Sequence, residues 1–456
     1  MTLTEQMAAY VTDYSIDNDE GAAQAARYNF LDTVGCTIAG TVTGQFELAR
    51  QYADKYNGVK ESMVLGSAAM TEAGHAALAH SVAAHACDYD DMCVCLNGHP
   101  GAVIVPVVLA LADRLDKTGR EMLTAYMAGV EVSAAFGRMF HEGNYAKAWN
   151  QTTALGIMGA VAAAGKIMGL SRDEMTHAFG ITIGEASGNK ANFGTTTKDL
   201  TVGMTALKAI KCAEFAKLGF TANRSVIEGN NGLFESLGNQ ISSRPFWDMM
   251  KHPVSVFLSP GLVIKPYPTC RGNHNVIDIL VRILKENALK PEDIRTVNCK
   301  VQNTVIDTER YPEPKSGAEG KFCIAYCAAL CILNGRLDIM DFQVTEISDP
   351  AVLEQMAKVR VTLDPTIVQA RFGAEVTVET TAGQSFRSFS YYAKGDPLNP
   401  MSLDEIESKF IYNAALMMSL EDAKNLSDRL FDTDCWMNER HFLNQIEIAA
   451  EGKLPS

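Results

Sequence analysis

"KPYPTCRGNH", residues 265–274, is where the pattern of the chain changes. Its two prolines, Pro266 and Pro268, lack the N–H that a helix ladder needs, so the stretch reads as a linker or tight turn. Upstream the pattern is helical. "EGAAQAARYNFLDTVGCTIAG" (20–40), "AHSVAAHACDYDD" (79–91), "AVIVPVVLALADRLDKTG" (102–119), "REMLTAYMAGVEVSAAFGRMFHEG" (120–143) and "GMTALKAIKCAEFAKLGF" (203–220) place apolar residues three and four apart, with Gly or Pro at several ends. Ala and Gly dominate these faces, which lets helices pack closely. "SRDEMTHAFGI" opens with Ser171 and Glu174, a capping box.

Downstream, a helix is expected over 275–287. Strand-like runs follow in "IRTVNCKVQ", "KVRVTLDP" and "AEVTVETTAGQSFRSFS", where apolar and polar residues alternate. "GKFCIAYCAALCILNG" lies between them with a helical pattern. "GDPLNPMSLDEIESKF" then returns the chain to helices, with Ser402 and Glu405 as a second capping box. The expected fold is mainly α: a large all-helical domain over 1–265 and 397–456, with a smaller α+β domain over 266–396 inserted as a lid.

Bulk properties narrow the function. The chain has 456 residues, enough for a large core, and a net charge of -14. An acidic chain without a basic face is not expected to bind nucleic acid, although a few cations can still form a pocket for an anionic substrate. The N-terminal "MTLTEQMAAYVTDYSIDNDEG" is acidic and amphipathic, unlike a signal peptide. The most membrane-like run, 152–170, carries Lys166 and reads as a buried core helix. A cytoplasmic protein with no membrane partner is expected. Eleven scattered cysteines are read as mostly buried thiols.

"ACDYDDMCVCLNGHPGAVIVP" (86–106) is the densest chemistry in the chain. His85, Cys87, Cys93, Cys95 and His99 can all ligate metal, but Cys-x-Cys is not a zinc knuckle and no second pair has ribbon spacing. No metal site is expected. Asp88, Asp90 and Asp91 crowd at a helix end, where such a cluster shifts a pKa or calls for donors nearby. His99 precedes a new helix, whose free N–H groups favour an anion. Phosphate-loop, dinucleotide, serine-elbow and H-E-x-x-H patterns are absent. Lys190 and Lys198 sit in the Gly/Thr/Asn-rich "GNKANFGTTTKDLTVG", and Lys265, Arg271 and His274 sit at the proposed domain junction. These cations can pair with the aspartates or hold substrate carboxylates.

The chain resembles the MmgE/PrpD family nearly end to end. The likeness rests on "DYDD" followed by "HPG", on "AW" with "GAVAAAGKIMGL", and on "SGNKANFGTTTKDLTVG", "KLGFTANRSVIEGNNGLF", "IKPYPTCRGNH", "EGKFCIAYCAAL" and "GDPLNPMSLDEIESKF". The resemblance implies an all-helical domain with an α+β lid, a homodimer, and chemistry on small di- or tricarboxylates without metal or organic cofactor. It assigns Asp88, His99, Lys198 and His274 to the reaction. Asp88 and His99 become the leading acid/base candidates; Lys198 and His274 would hold carboxylate or developing negative charge. Asp91, Met92, Asn150, Lys265 and Arg271 are expected to line the substrate. The sequence departs from the dehydratase and decarboxylase pattern twice: Met92 stands where that pattern has Thr, and Asn150 where it has His. An amide cannot shuttle a proton near neutral pH.

The expected activity is abstraction of a proton α to a carboxylate, leaning to a dehydratase-like lyase. Removing such a weakly acidic proton needs a positioned base and cations to stabilise the enolate-like charge. The alternatives are an epimerase of the iminodisuccinate epimerase type and a non-catalytic relative that binds an organic acid.

Overall fold

The computed structural model describes all residues except 68, 141–147, 238–241, 252–253, 369–371, 439 and 452–456, and the side chains of all of these except 18, 249–251 and 434. The chain forms two compact units. The first comprises Met1–Ala86, Asp90–Ile264 and Ser402–Ser456; the second comprises Cys87–Tyr89 and Lys265–Met401. The fold is mainly α with a small sheet region, as expected. The expected helical run through 141–143 lies outside the described residues.

The first unit is helical. Asp19 caps the helix Glu20–Gly40 by accepting from the N–H of Ala22. At its centre lies the helix Ala73–Ala86, buried along its whole length. It is apolar or small on every face, the composition of a helix surrounded by others rather than one lying on a surface. Its polar side chains therefore need partners. His80 Nε2 accepts from the N–H of Leu65 at 3.0 Å, and His85 reaches Asp90. Close packing elsewhere depends on small residues. A Cβ on Gly159 would lie 2.3 Å from the Gly129 carbonyl oxygen, so the helices Gly119–Phe140 and Gly156–Met168 can approach only through glycine.

The stretch 86–106 is a turn between two helices of this unit, interrupted by the three residues that group with the second unit. Met92–Cys93 pairs antiparallel with Leu262–Val263, and Cys93 bridges Gly98. The helix Pro100–Leu115 then starts with His99 as N-cap and Pro100 in the first turn, where a missing N–H does no harm. The expected capping boxes form at Ser171/Glu174 and Ser402/Glu405.

The second unit holds a four-stranded sheet in the order Val359–Leu363, Ile294–Val301, Ala374–Thr380, Ser385–Ser390. The first pair is parallel and the others antiparallel. Along Ala374–Thr380 burial alternates residue by residue, so Ala374, Val376 and Val378 face the core. The helices His274–Glu286 and Ile324–Asn334 supply the opposing apolar side chains, including Ile277, Leu280, Ala328 and Cys331.

Candidate active site

In the first unit two helix ends frame a histidine–carboxylate cluster. His85, in the last turn of Ala73–Ala86, has Nδ1 2.9 Å from Asp90 Oδ2. His99 Nδ1 lies 3.4 Å from the same oxygen and 2.6 Å from the Asp91 carbonyl oxygen. The two rings meet edge to face at 5.0 Å. A carbonyl only accepts, so Nδ1 of His99 carries the hydrogen, and in the neutral ring Nε2 holds the lone pair. Asp90 is fully buried, whereas the His99 side chain is 19% exposed, so the carboxylate is sealed behind a ring that solvent or a ligand can reach.

Asp91 fixes the backbone around that ring. Its Oδ1 accepts from the N–H of Gly101 at 3.0 Å, placing a carboxylate on the N-terminus of Pro100–Leu115. Negative charge there stabilises the helix by about 1–2 kcal/mol. A Cβ on Gly101 would lie 2.7 Å from Asp91 Oδ1, so this contact requires glycine. Thr152 Oγ1 accepts from the N–H of His99 at 3.1 Å. Asn150 is the N-cap of the short helix Gln151–Ala154, its Oδ1 accepting from the N–H of Thr152, and its own N–H bonds the Gly188 carbonyl. Trp149 bridges Asn189 alongside. Three motifs distant in sequence, 90–101, 149–152 and 188–189, are thus tied by hydrogen bonds. The last of these leads to the helix Thr196–Lys217, whose first turn carries the buried Lys198 ammonium 5.9 Å from the centre of the Phe193 ring. Met92 is buried in its two-residue strand.

In the second unit Lys265, fully buried, donates to the Asp88 carbonyl at 2.9 Å and lies 3.5 Å from Asp88 Oδ1. Asp88 holds a left-handed backbone, φ 52°, which Asp tolerates better than most residues. Tyr89 donates to the Pro266 carbonyl, so Cys87–Tyr89 and the start of 265–274 are bonded at two points. Arg271 Nη2 pairs with Asp396 at 3.0 Å and its guanidinium lies 5.2 Å from the Phe372 ring centre. Its Nε and Nη1 are buried with no hydrogen-bond partner among the described residues. His274 Nε2 faces the Thr269 carbonyl at 3.1 Å. Burial first, then the charges of Arg271 and Lys265, hold its pKa well below 6.5. The ring is therefore neutral at neutral pH, with Nε2–H donating and Nδ1 as acceptor. In this state His274 offers hydrogen bonds rather than positive charge, and the buried cation beside it is Arg271.

His85 and Asp90 were not among the expected site residues, yet they hold the His99 ring. The presence of both in one short stretch was the available signal. Thr152 carried none. His85, Asp90 and His99 also offer ligand atoms within 4.8 Å of one another, a spacing compatible with a cation. His99 Nδ1, with its hydrogen on the Asp91 carbonyl, is not itself a ligand atom, so His99 would meet a cation through Nε2. A cavity of about 320 Å³ lined by Leu48, Leu78, Val82, Leu200 and Met204 lies in the same unit, but it is apolar and contains none of these groups. Among the described residues, no helix is long and apolar enough to cross a membrane.

Comparison with known proteins agrees with this architecture. Residues 5–243 match the MmgE/PrpD N-terminal domain and residues 267–432 the MmgE/PrpD C-terminal domain. The chain is 28% identical to human cis-aconitate decarboxylase over 444 residues, covering 93% of this chain and 90% of that protein. It is 25% identical to the mouse cis-aconitate decarboxylase, covering 93% and 89%. It is also 21% identical to the cis-aconitate decarboxylase-like protein oryM of Aspergillus oryzae, covering 95% and 94%. With both family domains matched in order across most of its length, the chain belongs to the MmgE/PrpD family.

Proposed function

We propose that the protein is a lyase that moves a proton at the carbon next to a carboxylate of a small di- or tricarboxylic acid, with His99 as the acid/base. The observation that carries this reading is the anchoring of His99 Nδ1 by the Asp91 carbonyl and Asp90, which leaves Nε2 as the proton-accepting atom. When Nε2 takes a proton, the ring becomes a cation whose charge is balanced by the buried Asp90 carboxylate. In an elimination, Nε2 removes the α-proton, the electron pair moves toward the carboxylate, and hydroxide leaves from the neighbouring carbon. In a decarboxylation, Nε2 first takes a proton from solvent; carbon dioxide departs, its bonding electron pair stays on carbon, and the imidazolium gives that proton to the carbanion. Either course builds negative charge that needs fixed cations. Lys198 is the candidate in the first unit; in the second, Arg271, whose Nε and Nη1 have no hydrogen-bond partner among the described residues, can hold a carboxylate. The names of the relatives support a carboxylate lyase. Asn150 supports a reaction in which a second proton shuttle at that position is not used.

The test is proton NMR in D₂O with cis-aconitate, citrate, methylcitrate, malate and tartrate. Deuterium uptake accompanied by an alkene or carbon dioxide supports the lyase. Uptake with retention of every carbon and oxygen would replace it with the epimerase, and binding of an acid without any uptake would replace it with a non-catalytic relative.

A further inference from the structure

The turn that leads into His99 carries a second reactive group. Cys93 lies in the strand Met92–Cys93, where it exchanges backbone hydrogen bonds with Gly98 at 2.9 and 3.4 Å. Cys95 lies in the turn so closed. The two thiols, two residues apart, are each the leading influence on the other's ionisation. Arg138, in the last turn of Gly119–Phe140, donates its Nε–H to Cys95 Sγ at 3.3 Å. Cys93 is buried and Cys95 half-buried, so only the second sulfur is open to a small reagent.

This is an asymmetric pair. The Nε–H of Arg138 points at the Cys95 sulfur, which stabilises the thiolate there. The Cys95 thiol is accordingly pulled down to about 6, first by Cys93 and then by Arg138, while Cys95 and burial push Cys93 well above 9. Among the eleven cysteines Cys435 is more exposed, but no cation is found against its sulfur among the described residues.

We propose that Cys93 and Cys95 form a peroxide-oxidisable thiol pair, Cys95 being the sulfur oxidised first and Cys93 the resolving thiol. The Cys95 thiolate attacks one oxygen of hydrogen peroxide; the O–O bond breaks, sulfur loses two electrons to become the sulfenic acid, and hydroxide leaves. Cys93 gives its proton to that hydroxide and attacks the Cys95 sulfur. The S–O bond breaks, water departs after protonation, and a disulfide forms. Two thiols and one peroxide yield one disulfide and two waters. The bond would constrain the turn that leads into His99. The thiol chemistry stands independently of the reaction assigned to His99.

The experiment treats the reduced full-length protein with limiting hydrogen peroxide at pH 7 and maps peptides by mass spectrometry. The expected result is a peptide lighter by two hydrogens, linking Cys93 to Cys95 and restored by dithiothreitol. In Cys93→Ser the sulfenic acid persists and dimedone labels Cys95; in Arg138→Met Cys95 loses its labelling preference over Cys435. Oxidation of Cys435 while Cys93 and Cys95 stay free thiols would overturn the proposal. The mapping of the unmodified sequence decides the matter even if a variant fails to fold.

Discussion

Histidine is used in opposite ways in the two units. In the first, His99 leans on a buried carboxylate and a carbonyl and remains partly exposed. In the second, His274 is sealed, and Arg271 and Lys265 act against its protonation. The same side chain lies against an anion in one unit and is kept neutral by burial and adjacent cations in the other. Under the proposed function the first is the group that moves a proton and the second one that donates and accepts hydrogen bonds.

The sharpest way to break this comparison is at His99. His99→Gln keeps a polar side chain but removes the titratable nitrogen, and turnover should fall about 10²–10⁴-fold with little change in melting temperature. Lys265→Met tests the second unit instead. It leaves the Asp88 carboxylate buried without its ammonium and should lower stability by about 3–5 kcal/mol, read from denaturant unfolding. Asp90→Asn should lower turnover by about 10²-fold, since the ring loses both orientation and charge balance, with the loss seen in kcat rather than KM.

Much of the fold was legible because it rests on local chemistry. The helix Glu20–Gly40 has the bounds its pattern gives, since Asp19 caps one end. The sheet strands alternate because one face is buried. The expected helix over 102–119 instead runs Pro100–Leu115: proline suits its first turn, and Asp116 takes a left-handed conformation that ends it. The short pairings Ser62–Val64 with Ala69–Thr71 and Met92–Cys93 with Leu262–Val263 are too brief to show a period. The position of His99 ahead of a new helix was legible from "HPG". Which of Asp88, Asp90 and Asp91 faces the histidine rings was not, because that depends on the left-handed turn at Asp88 and not on spacing. The grouping of Cys87–Tyr89 with the second unit rests on bonds to Lys265 and Pro266, far away in sequence.

Smaller effects refine the contrast. An unfolded histidine titrates near 6.5, whereas His80 in the first unit is pulled down to about 4 by burial and His274 lies well below 6.5. As pH falls below 6.5 the unfolded chain binds protons that these two folded residues refuse, so stability is lost, down to about pH 4 for His80. His80→Asn and His274→Asn should each flatten the fall in melting temperature between pH 7 and 5, measured against the unmodified protein. Asn150→Ala removes one helix cap and should lower stability by about 1 kcal/mol, whereas Asn150→Asp should retain it.

The central claim is that His99 Nε2 transfers a proton next to a carboxylate, and its most direct test is solvent-deuterium incorporation into cis-aconitate and related acids by the unmodified protein and by His99→Gln. The account predicts incorporation at the carbon next to a carboxylate, with water or carbon dioxide released, and its loss in the variant. Undiminished incorporation by a folded His99→Gln protein would contradict it.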